Sequence, residues 1–466
     1  MNKIHKLIII FVIFITIWFL PVPSGVEPEG IHLFAIFSST IVGLILKPIS
    51  MGGIVFIGIV LTALTDTLPL RDALSGFANP TVWLIVSAFL IARGFIKTGL
   101  GRRVAFILIK AFGRKSIGLS YSLVMSEFIL SPAMPSNTAR SGGIIYPIIR
   151  SLCSAFGSEP EKSPRKIGSF LILAQYHAGV VISAMFLTSM AANPLAAEIT
   201  KDITGLELQW TTWALGAIVP GILSLSLIPL VIYKLIPPEI KDSSKSRVVA
   251  DEGLQKMGKM KRPEIIMAGI FIFVLLFWIT SNFHKINVTT IALFGVGLML
   301  IFGVINWSDV LSEKGAWDAM IWFGGLIMMA GGLYNLGIIE WFGDTISNYI
   351  SYLPMTFALI LTLLIYFYSH YGFASMTAHI TALLPVFLAV AIGAGTPPLL
   401  AALALAYFSN LNASLTHYAT GPAPIYFNAG FVDQITWWKI GFLISVLNII
   451  IWVGIGFPYW KLCGFW

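Results

Sequence analysis

Apolar runs long enough to cross a lipid bilayer recur from one end of this 466-residue chain to the other. A spanning helix takes about 20 mostly apolar residues. Such stretches fall near 7–20, 31–46, 52–66, 81–98, 167–190 and 211–236, then near 264–282, 287–305, 316–338, 397–418 and 437–460, about eleven in all. Two more, 116–156 and 354–394, are too long for one crossing, and each is broken in the middle, at MPSNTARSGG and FASMTAH. Lipid cannot satisfy an open backbone, so these breaks must be buried in protein or line a wet cavity. Each stretch is expected to form a re-entrant hairpin that enters and leaves on one side. With 57% hydrophobic and only 11% charged residues, against about 25% charged in soluble domains, a water-soluble enzyme and a disordered chain are excluded. A transmembrane barrel does not fit either, because its strands alternate over about ten residues. The expected fold class is an all-α polytopic membrane protein.

Lys and Arg number 29 against 21 Asp and Glu, a net charge of +8. In a membrane chain this excess first marks cytoplasmic loops. The start, Lys3 and Lys6 before an apolar run, resembles a signal peptide, but PVPSGVEPEG lacks a small-x-small cleavage site. A retained first helix with a cytoplasmic N-terminus is expected. No Arg/Ser-rich transit peptide is evident, which favours a bacterial inner membrane over a plastid envelope. Four crossings return the chain to the cytoplasm at Arg102, Arg103, Lys110, Arg114 and Lys115. Lys162, Arg165 and Lys166 follow the first hairpin on that side, and the polar segment 237–263 lies there after two more crossings. Three crossings later the chain ends outside at IEWFGDTISNYISY, which has no cation, so the second hairpin enters from the opposite face. Segments 101–112 and 340–352 are expected to be short interfacial helices. The implied organisation is an N-terminal helix and loop (1–30), a first repeat (31–236), a cytoplasmic linker (237–263) and a second repeat (264–466).

The halves share text. Val82-Trp83 matches Ile321-Trp322, and Ser136-Asn137-Thr138-Ala139-Arg140 matches Ser375-Met376-Thr377-Ala378-His379. A breaker follows each hairpin, MFLTSMAANPLA at 185–196 and HYATGPAPIYF at 417–427. Self-similarity with opposite topology is the signature of inverted-repeat carriers, whose site lies near the midplane between broken helices. Half-helix N-termini there favour anions. Ser136, Asn137, Thr138, Ser375 and Thr377 are therefore candidate carboxylate ligands, though short polar residues at a helix start also serve as plain caps. Arg140 and His379 each stand four residues beyond the first Ser of their motif. An intramembrane Arg is costly, so it is read as functional, against the alternative that it snorkels to water. Two fixed cations near one site argue for an anion with two carboxylates. Thr420, Gly421 and Pro422 at one breaker, and Thr188, Ser189 and Asn193 at the other, are further candidates. His177, Asn410, Asn412 and His417 either line the cavity or bond helices together. Phosphate-binding, CxxC, HExxH and nucleophile-elbow patterns are absent, and Cys153 and Cys463 are too few for a disulfide framework. Neither an enzyme, a metal site nor a cofactor is expected.

PSNTARSGGIIYPI at 135–148 and SNLNASLTHYATGPAPIYFNAG at 409–430 resemble the divalent anion:sodium symporter family, in particular its branch of 2-oxoglutarate/malate translocators and citrate/succinate-type antiporters. The resemblance covers nearly the whole chain. It implies a homodimer of inverted repeats, each protomer with a scaffold domain and a transport domain that moves as an elevator. It also implies that the Ser-Asn-Thr tips bind substrate carboxylate and, in symporters, help bind sodium. Ser136, Asn137 and Thr138 keep that motif, whereas Met376 replaces the second Asn and removes an oxygen ligand. The resemblance places small or neutral residues, in symporters, at the positions of Arg140 and His379. A fixed cation there is expected to take the electrostatic place of sodium and to make the unloaded crossing costly. The resulting expectation is sodium-independent exchange of dicarboxylates such as 2-oxoglutarate, malate and succinate, with sodium-coupled symport of di- or tricarboxylates as the alternative.

Overall fold

The computed structural model describes residues 2–342, 345 and 354–466, and every regular element among them is a helix. Nine helical segments among the described residues are long and apolar enough to cross a membrane. Two of them, Met355–Gly372 and Met376–Gly393, are the arms of the second hairpin. Outside that hairpin, seven of the eleven expected spans meet this measure. The spans expected at 7–20, 52–66, 287–305 and 397–418 form the shorter helices Lys3–Trp18, Met51–Leu64, Val288–Ile301 and Pro398–Leu411. In the last three, hydropathy extends through the turns that end the helices and overstates their length.

Local chemistry sets many of the boundaries. Asn79 accepts the amide of Thr81 at 2.7 Å and Pro80 opens helix Pro80–Thr98, which stops at Gly99 in the left-handed region (φ +79°). Ser50, Asn287 and Asp433 cap three further helices through their side-chain oxygens. The surface helix Leu100–Phe112 follows at once and is strongly amphipathic, as expected for 101–112. The matching segment 340–352 lies largely outside the described residues.

One group of helices packs Lys3–Trp18 on Pro28–Leu46, and Lys314–Asn335 against Met51–Leu64 and Pro80–Thr98. A second group surrounds Gly168–Met185, all of whose 18 residues are buried. It includes Trp210–Leu235, the first hairpin and Pro398–Leu411. The polar segment 237–263 is more than a connector. Helix Lys245–Met257 docks on the surface helix, where Lys110 meets Asp251 at 2.5 Å and Ser243 and Ser246 both donate to the Gly113 carbonyl at 2.7 Å.

Candidate functional site

Both over-long stretches are pairs of helical arms broken at the tip. In the first, Ser116–Leu130 ends in a short 3-10 turn, and the chain resumes at Thr138. In the second, Met355–Tyr368 is followed by a turn and then by Met376–Gly393. The Ser136 hydroxyl accepts the Ala139 amide at 3.1 Å, and the Ser375 hydroxyl accepts the Ala378 amide at 3.3 Å. Both serines thus cap the returning arm. The first returning arm opens as a π-helical stretch, Thr138–Ile145, a form that concentrates at functional sites. Tyr426 donates its hydroxyl to the Ser141 carbonyl at 3.1 Å inside this stretch.

Two other helices are also interrupted. Gly168–Met185 gives way to a break that ends at Ala192, and Pro398–Leu411 to one that ends at Pro422. Each break is tied to a hairpin tip. Thr188 donates to the Pro132 carbonyl at 2.5 Å, and the Ala191 amide to the Pro135 carbonyl at 2.9 Å. Tyr418 donates to the Tyr371 carbonyl at 2.9 Å, and His370 Nε2 lies 3.1 Å from the Ala419 carbonyl. The halves then join. Asn137 Nδ2 donates to the Thr420 hydroxyl at 3.1 Å. A Cβ on Gly421 would lie 2.0 Å from Thr138 Oγ1, so only glycine permits this approach.

At this junction lies a small cavity with an open volume of about 10 Å³, room for about one water. Of the residues anticipated from sequence, Asn137, Thr420 and Pro422 line it. Met376, the departure from the Ser-Asn-Thr pattern, also lines it, so both hairpin tips reach the cavity. Ser136, Ser375, Thr138 and Gly421 stand beside it as caps and as the close crossing, and Thr377 is buried on the first turn of its arm. Glu127, Ser141, Tyr176, Gly179 and Ser183 complete much of the wall. Sequence reasoning did not place these five. Gly179 and Ser183, four residues apart on one helix face, were the available signal.

Arg140 differs from its expected setting. It is fully buried, does not line the cavity, and is not a free cation. Its Nε donates to Glu127 at 3.2 Å, and Glu127 also accepts from Gln175 at 2.6 Å. Its Nη1 donates to the carbonyls of Met134 at 2.6 Å and Ser189 at 2.7 Å, and its Nη2 to the Ser183 hydroxyl at 3.2 Å. The guanidinium therefore gathers backbone carbonyls freed by the first tip and the first break. Glu127 balances its charge, because a buried ion is tolerated only when paired.

His379 also departs from the expected fixed cation. Its Nε2 lies 3.1 Å from the Tyr366 carbonyl and 2.9 Å from the Ser369 hydroxyl, and its Nδ1 faces the Asn412 amide nitrogen at 3.5 Å. A carbonyl only accepts, so Nε2 carries a proton and donates to Tyr366. Asn193 is likewise set back from the cavity wall. Its amide donates to the Ser183 and Phe186 carbonyls at 2.8 and 2.9 Å, and its oxygen accepts from Asn410 at 2.7 Å. It holds the first break closed and bonds it to the second interrupted helix. His417, in the second break, accepts from Trp438 Nε1 on helix Gln434–Ile451 at 3.0 Å.

The family model described as the sodium:sulfate symporter transmembrane region matches residues 1–466. The chain belongs to this family. Relatives include the putative malate transporter YflS of Bacillus subtilis, 50% identical over 100% of this chain and 97% of the relative. The chloroplastic dicarboxylate transporter 1 of Arabidopsis thaliana is 45% identical over 97% of this chain and 81% of its own length. The inner membrane protein YbhI of Escherichia coli is 38% identical over 100% of this chain and 99% of that one. In fold, this member of the sodium:sulfate symporter family is similar to the YdaH transporter of Alcanivorax borkumensis, at TM-score 0.56, 15% identity and coverage of 86% and 90% of the two chains. It is a multi-pass membrane protein built on a transporter fold.

Proposed function

We propose that this family member exchanges dicarboxylates of the 2-oxoglutarate, malate and succinate type across a bacterial cytoplasmic membrane without sodium. The malate and dicarboxylate transporters among its relatives support the substrate class. The observation that carries the exchange reading is the pair of nitrogen donors at the broken helix ends. In cation-coupled carriers, unwound carbonyls and half-helix C-termini hold the ion. Here Arg140 Nη1 donates to the Met134 and Ser189 carbonyls, and His379 Nε2 faces the Tyr366 carbonyl. Side-chain N–H groups thus occupy carbonyls near both hairpin tips, and the Met376 side chain offers no oxygen at the second. Asn137, Thr420, Ser136, Thr138, Ser375 and Thr377 would bind the two carboxylates once the tips part, since the closed cavity holds only about one water.

The transport unit of this reading comprises both hairpins and both interrupted helices, and it moves as an elevator past a dimeric scaffold. Glu198, on the helix after the first break, accepts from Asn79 at 2.7 Å and Thr81 at 2.8 Å at the start of helix Pro80–Thr98. These contacts join the two groups and would break during such a movement. Sodium-coupled symport is the second reading. Its support is Glu127, which neutralises Arg140 and so removes the standing charge that made an unloaded crossing costly.

Uptake of labelled dicarboxylate into proteoliposomes separates the two. Exchange requires internal dicarboxylate and is indifferent to sodium. Sodium-driven accumulation in vesicles that contain no dicarboxylate would overturn it.

A further inference from the structure

We infer that a basic pocket between the surface helix and the linker helix binds the phosphate headgroup of an anionic phospholipid. The cavity measures about 510 Å³, far larger than the space between the hairpin tips. Helices Pro80–Thr98, Leu100–Phe112, Lys245–Met257 and Arg262–Ile279 all contribute to its wall. Five cations line it, Lys97, Arg102, Arg103, Lys256 and Lys261, against the two acids Glu252 and Glu264.

The pairing within the wall decides what is available to a ligand. Arg103 is committed, since its Nε and Nη2 grip both oxygens of Glu264 at 2.7 and 3.0 Å and its Nη1 donates to the Gly258 carbonyl at 2.9 Å. Lys97 is committed to Asp309. Arg102, Lys256 and Lys261 form no ion pair among the described residues. Three available cations thus face a cavity whose frame is held rigid by the buried Arg103–Glu264 fork. Phosphate is the anion that matches several converging cations, with three or more acceptor oxygens on one centre.

The surroundings point to a lipid source. Three of the seven charged wall residues adjoin an exposed apolar one. Ile96 precedes Lys97, Met260 precedes Lys261, and Ile265 follows Glu264, with exposures of 44%, 44% and 56%. The surface helix adds exposed Ile107 and Phe112. A headgroup in the pocket therefore leaves its acyl chains against apolar side chains at the membrane boundary. The positive-inside rule assigns this face to the cytoplasm, whose leaflet presents anionic lipid.

The test uses the full-length protein in neutral detergent, with phosphatidylglycerol, phosphatidylcholine or inorganic phosphate added. Thermal melting and native mass spectrometry of retained lipid are the readouts. Phosphatidylglycerol is expected to raise the melting temperature and to stay bound, while phosphatidylcholine does neither. At about fivefold per cation, Arg102→Gln/Lys256→Gln/Lys261→Gln weakens the effect about a hundredfold, whereas Arg102→Lys/Lys256→Arg/Lys261→Arg keeps it. The control Lys162→Gln/Lys234→Gln/Lys461→Gln removes equal charge elsewhere and keeps it too. No preference between the two lipids, an equal loss in the control variant, or an equal rise with inorganic phosphate alone would overturn the proposal.

Discussion

At the scale of single residues, the Arg140–Glu127 pair governs the site. Both side chains are fully buried, and Gly179 leaves room for the carboxylate, since a Cβ there would sit 3.2 Å from both Glu127 oxygens. Glu127→Gln strands a buried guanidinium and is expected to cost about 3–5 kcal/mol of stability. Denaturation of the purified variant measures this, and adding Arg140→Met should recover part of the loss. Arg140→Ala is expected to abolish dicarboxylate exchange in proteoliposomes. Normal transport by that variant would place Arg140 outside the mechanism.

At the scale of elements, the tips and breaks depend on close approach. Gly421→Ala drives a methyl into Thr138 Oγ1 and should cost about 1–3 kcal/mol as an overpacked contact, with a loss of transport. Thr138→Ala in the same chain removes the clashing oxygen, so partial recovery of folding identifies the contact as the cause. Helix capping has its own pH signature. Asp433 accepts the hydroxyl and the amide of Thr436 at 2.6 and 2.9 Å, and these bonds hold its carboxyl below the usual carboxylate range. A depressed folded value means that the stabilisation is present above the ordinary pKa and is lost as pH falls through the depressed one. Asp433→Ala should therefore destabilise by about 1 kcal/mol at neutral pH, with the difference from wild type vanishing in strong acid. Melting curves recorded across pH check both parts.

At the scale of the whole molecule, the elevator reading requires the Glu198 contacts with Asn79 and Thr81 to open in each cycle. A chain with Cys153 and Cys463 replaced by Ser and with Asn79→Cys/Glu198→Cys introduced should lose transport on oxidation and regain it on reduction. Undiminished transport by the fully cross-linked protein would mean that these two regions do not separate. The linker belongs to this scale as well. Its helix Lys245–Met257 packs on the surface helix, so the segment between the halves is a structural part of the protein and not a bare connector.

Much of this architecture was legible in the residues because its causes are local. Length and hydropathy demanded crossing helices. Polar and small residues inside 116–156 and 354–394 demanded broken hairpins, and Pro194 and Pro422 marked where interrupted helices resume. The Ser-Asn-Thr motif indicated the tip that meets the cavity, and Ser136 and Ser375 were readable as caps. Tertiary structure decided the rest. Nothing local shows that Arg140 is paired with Glu127, that His379 donates to a backbone carbonyl, or that Gly421 crosses Thr138. Those outcomes depend on which groups meet after segments far apart in sequence pack together. A buried charge takes whichever partner desolvation leaves within reach. Sequence alone thus determined that the chain crosses the membrane and where its helices break, and only the packed helices decided which charges remain free.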